Sequence, residues 1–164
     1  MSLIIKDKLQ AMIVGYPTVS DKYNVAGGIL SGSTPVAFGD LVQYDSTTGY
    51  YKPATSVSAV GNIAGFVLAT NVKVTQDWPG TTVQVNGGEA FNLLLNGYIA
   101  AKLDSGATSS YVAPGASVYV ILATGKLTTS DKASASTIVE LPGYKFTGYK
   151  ETQGSDLVAE ICVR

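Results

Sequence analysis

The sequence predicts an all-β protein, a compact sandwich or barrel of short antiparallel strands that carries an extended N-terminal arm. Three observations point that way. The 164 residues include 18 Gly and 10 Tyr alongside abundant Val and Thr, the residues of pleated surfaces and tight turns. Apolar runs recur at roughly ten-residue intervals with turn-forming residues between them, the spacing of a sandwich or barrel. Windows rich in Ala, Glu, Lys and Leu with helical periodicity are few. With 46% hydrophobic and only 14% charged residues, the chain can bury enough apolar surface to offset the entropy of ordering it.

Residues 1–25 stand apart from the rest. Leu3, Ile4, Ile5, Leu9, Met12, Ile13 and Val14 would line one face of a short helix behind Ser2, and Gly15-Tyr16-Pro17 stops it. This segment reads as the arm, and residues 26–164 as the β domain. In that domain Leu41-Val-Gln-Tyr44 runs into the turn Asp45-Ser-Thr-Thr-Gly49, and the chain returns through Tyr50-Tyr-Lys52. Further strands are expected at Ile63–Ala69, Thr81–Val85, Ala90–Leu95 and Gly97–Ala101. Val118–Leu122 then turns through Ala123-Thr-Gly125 into Lys126–Thr128, and Tyr144–Thr147 precedes Leu157–Val163. Phe66-Val-Leu-Ala69 and Val118-Tyr-Val-Ile-Leu122 are apolar at successive positions, which reads as strands covered on both faces, in part by another subunit. The small polar stretch from Thr128 to Thr137 reads as a surface loop or a single helical turn.

Sliding the chain by 76 residues brings Val36, Ala37, Gly39, Val42, Thr48 and Gly49 onto Val112, Ala113, Gly115, Val118, Thr124 and Gly125. Two residues out of phase, Gly65-Phe66 falls on Gly143-Tyr144. The pattern describes one unit, a turn, a strand with a core Val and a hairpin Gly, used twice, over 36–70 and 112–147.

Composition also narrows function. The chain has no histidine, so it cannot build a His-containing catalytic triad, a His-ligated zinc site or the usual neutral-pH proton shuttle. Ten Lys, one Arg (Arg164) and a net charge of −1 supply no cationic face for phosphate or base recognition, so nucleic acid is not expected as a direct partner. No apolar run approaches a membrane span or a signal segment, so an intracellular, soluble product is expected.

The remaining candidates each have a structural explanation. Asp40 and Asp45 flank one strand and, five residues apart, project to opposite faces, which does not aim them at one bond. Asp45 reads as an Asx-turn residue and Asp40 as the residue that opens the strand. Gly27-Gly28 and Gly87-Gly88 lie outside any phosphate-binding motif and read as turns. Lys102 and Lys126 read as solvated strand ends, and Cys162, in an apolar run, as a buried thiol. No catalytic, metal or cofactor residue is assigned. The tyrosines, among them Tyr50, Tyr51, Tyr111, Tyr119, Tyr144 and Tyr149, suit either cross-strand pairing or an interface that is apolar yet wet. Trp78-Pro79-Gly80 reads as a loop with an indole packed on its own domain or presented outward.

The order of these pieces resembles the phage capsid cement, or decoration, proteins. The likeness is carried by Ala26-Gly-Gly-Ile29, by Val36-Ala-Phe-Gly-Asp-Leu-Val42 with Asp45 and Gly49, and by Ile63-Ala-Gly-Phe-Val67. It continues through Gly88-Glu-Ala-Phe91, Asn96-Gly-Tyr-Ile99, Val112-Ala-Pro-Gly-Ala-Ser-Val-Tyr-Val120, Thr124-Gly-Lys126 and the closing run from Gly154 to Val163. The resemblance implies a non-enzymatic virion protein, made in the host cytoplasm. It would bind the outside of a capsid at joints between major capsid protein subunits and form a homo-oligomer, a dimer or trimer. An alternative reading, from Trp78, the tyrosines and the Asn/Asp turns, is a receptor- or glycan-binding module of a phage head fibre. A hydrolase using Asp40, Asp45 or Glu89 is the remaining one.

Overall fold

The computed structural model describes residues 12–18, 23–69, 84–133 and 137–164. Eleven strands follow one another: β1 (Asn24–Ile29), β2 (Val36–Ala37), β3 (Leu41–Asp45), β4 (Tyr50–Pro53), β5 (Ile63–Leu68), β6 (Gln84–Val85), β7 (Ala90–Lys102), β8 (Ser117–Ile121), β9 (Lys126–Thr128), β10 (Ile138–Gln153) and β11 (Asp156–Val163). Among the described residues the helical elements are three short 3-10 turns, one of them at Ser130–Lys132 in the polar stretch before β10. The fold is all-β, as the sequence predicts. Nine strands form one antiparallel sheet in the order β4-β3-β5-β7-β11-β10-β8-β9, with β1 also on β7, while β2 and β6 pair separately.

That order reads alike from both ends. Each half is a hairpin (β3-β4 or β8-β9) followed by a third strand (β5 or β10) and a fourth (β7 or β11). The hydrogen bonds repeat with it. Gly39 and Gly115 hold φ near 81° and 79°, and their N–H groups donate to Val67 O and Phe146 O, both at 2.8 Å. Gly49 N–H closes its turn on Asp45 O at 2.9 Å, and Gly125 N–H on Ile121 O at 2.8 Å. Leu30 bridges Tyr51 in parallel, and Leu103 bridges Leu127 likewise. Ser31 N–H donates to Tyr51 O and Asp104 N–H to Leu127 O, both at 2.7 Å. By these bonds β1 corresponds to the rear half of β7. Strand β7 is thus the last strand of one unit and the first of the next.

The sequence reading breaks the chain at Asn96-Gly97, but the structure runs β7 straight through it. Gly97 has φ 129°, a backbone that residues with a Cβ avoid, and it stays in the ladder opposite Val163. The bend appears as a slip in burial phase, with Leu93 and Leu94 both inward, so one strand serves two curls of the sheet. Residues 138–143 likewise join the expected 144–147 in the 16-residue β10.

Two apolar cores result. Leu30, Val36, Phe38, Val42, Val67, Phe91 and Leu93 fill the first, and the equivalent Leu103, Val112, Val118, Phe146, Ala159 and Ile161 lie in the second. Large and small residues trade places between them. Val67 and Phe91 in the first unit correspond to Phe146 and Ala159 in the second, so side-chain volume is roughly conserved although the positions are not. The run 66–69 is covered on both faces within the chain, since Phe66 and Leu68 enter one core and Val67 the other. Strand β8 differs from the expectation. Val118 and Val120 face inward while Tyr119 and Ile121 remain partly exposed, because only one of its faces meets a core.

Of the expected arm, residues 12–18 and 23–25 are described, and the helical face expected over 3–14 lies almost wholly outside the described residues. Gly15 is pinned from two sides, donating its N–H to Ala100 O and accepting Ala69 N–H on its carbonyl, both at 2.8 Å. A Cβ there would come within 2.5 Å of Phe38 Cβ, and φ is +83°.

Candidate binding surface

The acidic residues weighed for chemistry are each engaged locally. Asp40 opens β3 and accepts from Lys126 Nζ at 3.0 and 3.2 Å, tying the first unit to β9 of the second. Asp45 accepts Thr47 N–H at 3.1 Å, which together with Lys52 holds its carboxyl below the usual range. It occupies the Asx-turn position expected of it. Glu89 accepts Asn86 N–H at 2.7 Å across the Gly87-Gly88 turn. Lys102 reaches Asp156 at 2.6 Å on the surface, and Lys126, like it, is a partly exposed strand end. Among the described residues no three His, Cys, Asp or Glu side chains gather where a metal could sit.

Gly27-Gly28 is corrected from a turn to the interior of β1. Residue 28 lacks a side chain because the Phe91 and Tyr51 rings would meet a Cβ there at 2.8 Å, while Gly87-Gly88 is a turn as expected. Cys162 is buried opposite Tyr98 on β7. The thiol beside it raises the phenol pKa. No candidate helix spans a membrane among the described residues, and Trp78 lies outside them.

The tyrosines divide between the two roles. Tyr51 packs edge-on between Tyr44 and Phe91, at centroid distances of 5.7 and 5.6 Å, and Tyr144 packs on Phe66, where burial raises its pKa. Those are cross-strand and core contacts. Tyr23, Tyr44, Tyr50, Tyr111 and Tyr149 are exposed. Among the described residues, the exposed large apolar side chains concentrate between Ile13 and Leu95, where Val25, Ile29 and Leu95 join Ile13, Tyr23, Tyr44 and Tyr50, whereas beyond Leu95 Tyr111 and Tyr149 are exposed. Sequence periodicity missed Val25 and Ile29 because the Gly pair between them reads as a turn. An open polar groove of about 970 Å³, lined by Gln43, Asp45, Lys52, Ser56 and Asn62, lies beside the β3-β4 hairpin. Gln43 donates from Nε2 to Pro53 O and Thr55 O, which fixes the groove wall. The described residues therefore offer exposed apolar, partly aromatic area beside this polar groove.

Comparison with known proteins agrees in fold and class. One chain of a structure described as the capsid of Myoviridae phage XM1 superposes with a TM-score of 0.64 at 15% identity, covering 90% of this chain and 88% of that one. No curated protein sequence matches. The profile of the structural cement protein family (E217 gp24/Pam3 gp6) matches residues 5–163, nearly the whole chain. The chain belongs to that family, the phage structural cement proteins, and its role is a structural one in the capsid.

Proposed function

We propose that this protein binds the outer surface of the phage capsid and stabilises joints between major capsid protein subunits, without catalysing a reaction. The family match over residues 5–163 carries the reading. Exposed Val25, Ile29, Tyr44, Tyr50 and Leu95, with a net charge of −1, support it, since weakly charged, aromatic-rich area suits protein contact and not packaged DNA. Bridging would act by multivalency, many modest interfaces on one lattice giving a high effective concentration. The protein would do this as a dimer or trimer, with residues 1–25 as an arm, of which 15–18 are already bonded to the β domain, and 26–164 as the cement domain. We also propose that segments 36–70 and 112–147 descend from one duplicated unit, supported by the paired bonds at Gly39 and Gly115 and at Gly49 and Gly125.

The test is particle stability. Capsids assembled with the protein should rupture at a higher temperature than capsids assembled without it, and equal rupture temperatures would overturn the reading.

A further inference from the structure

We propose that the outer edge of β1, at Val25 and Gly27, accepts an extended segment of a shell subunit as an added strand. The proposal rests on the capsid-binding reading above. The edge is defined by hydrogen-bond alternation. Leu30 N–H donates to Glu89 O at 3.0 Å, and β1 pairs Gly28 with Phe91 and Ala26 with Leu93. In an antiparallel ladder alternate residues face the partner strand, so Ala26 and Gly28 bond to β7 while Val25 and Gly27 turn their N–H and C=O groups away. Among the described residues no strand meets that side until Leu30 bridges Tyr51. Val25 is 46% exposed, and a Cβ at Gly27 would meet nothing within 4 Å.

Such an edge is normally guarded by Lys, Pro or a bulge against unwanted pairing. Strand β1, Asn-Val-Ala-Gly-Gly-Ile, carries no charge and no proline, and its one register shift lies at its start, between Asn24 and Val25, so the pairing from Val25 to Ile29 is regular.

The second unit shows the same position occupied. Tyr98 and Ala100 of β7 correspond to Val25 and Gly27 of β1, since Leu103 corresponds to Leu30 through the matching parallel bridges. There, residues 15–18 lie alongside, leaving a turn at Gly15 and pairing through a single bridge at Pro17. Thr18 N–H donates to Tyr98 O at 3.1 Å, Ala100 N–H to Tyr16 O at 3.3 Å and Gly15 N–H to Ala100 O at 2.8 Å, with Pro17 opposite Ile99. Among the described residues one of the two equivalent positions is filled by the chain's own segment and the other is not.

The occupant is a short extended segment rather than β1 of a second copy. Strand β4 meets this edge at Leu30, so a full-length β1–β1 pair would run into the β3-β4 hairpin at both ends. Four residues fit, as 15–18 do. The matching segment is uncharged, presents an apolar side chain beside Val25, and tolerates proline opposite Ala26 as Pro17 is tolerated opposite Ile99. Strand addition of this kind draws affinity from main-chain bonds and selectivity from alternate side chains.

The test uses the full chain and shells assembled from the major capsid protein alone, with binding read by co-sedimentation. V25K introduces an edge guard, and G27P removes an N–H that makes no bond within the sheet. Both variants should keep the wild-type melting temperature and bind shells at least tenfold more weakly, and amide exchange over residues 24–28 should slow when wild type is bound. Wild-type binding by both folded variants, with unchanged exchange over 24–28, would overturn the proposal while leaving the capsid reading intact. Failure of the wild type to bind shells would overturn the capsid reading itself. Slowed exchange over 24–28 that grows with protein concentration, without shells, would assign the edge to a second copy and overturn the proposal.

Discussion

The rings of Phe66 and Tyr144 lie 5.7 Å apart, tilted by 56°, and they are the residues that follow the matched glycines Gly65 and Gly143. Phe66 comes from the third strand of the first unit and Tyr144 from the third strand of the second, so the two halves meet through these rings, although by register Phe66 corresponds to Lys145 and Val67 to Phe146. Phe66 is fully buried in the core that the halves share.

Replacing Phe66 by Ala should therefore cost about 3–5 kcal/mol of unfolding free energy, the range for an aromatic removed from a packed core. Y144A should cost less, since its ring is only partly buried. In a double-mutant cycle the pair should couple by about 0.5–1.5 kcal/mol. Denaturant unfolding of the two singles and the double checks this, and additive losses would mean the rings do not support each other.

Gly65 and Gly15 admit close backbone contacts that a side chain forbids. Gly65 has φ +151°, and a Cβ on it would overlap the Leu94 carbonyl oxygen, while Gly15 has φ +83° against Phe38. G65A and G15A should each lower stability by more than 1 kcal/mol. G27A, at an open position of ordinary φ, should change it by less than about 0.5 kcal/mol. Thermal unfolding of the three variants side by side is the check.

The Asp40–Lys126 contact spans the two units, but its side chains are 32% and 43% exposed. Its contribution should stay below about 1 kcal/mol and shrink with added salt. K126M measured at low and high ionic strength should converge on wild type as salt rises.

Asp131 has its pKa lowered to about 2 by hydroxyl donors from Thr129 and Thr108, with Lys132 adding to them. A carboxylate with a depressed folded pKa stabilises the fold above its unfolded value, near 3.8, and that contribution disappears as pH falls toward 2. Melting temperature should therefore fall less between pH 4 and pH 2 in D131N than in wild type. Parallel curves across that window would show that the hydroxyls do not favour the charged form.

The all-β class, the hairpin turns at Gly49 and Gly125 and the 76-residue echo were legible in the sequence because they depend on local preferences. Alternation, β-branching and a glycine able to take positive φ need no distant partner. The Asx turn at Asp45 and the buried Cys162 were legible for the same reason. The path of β7 through Gly97, the place of Gly27-Gly28 inside β1, the volume exchange between Val67-Phe91 and Phe146-Ala159, and the Asp40–Lys126 contact were settled only in the tertiary structure. Each depends on which strand lies alongside. A glycine that reads as a turn in isolation stays in a strand when a neighbouring ladder or an aromatic ring occupies the space its side chain would need, and that neighbour lies tens of residues away along the chain. Composition and local pattern determined what kind of sheet this chain makes. Long-range pairing decided which of its described edges and aromatic faces remain exposed.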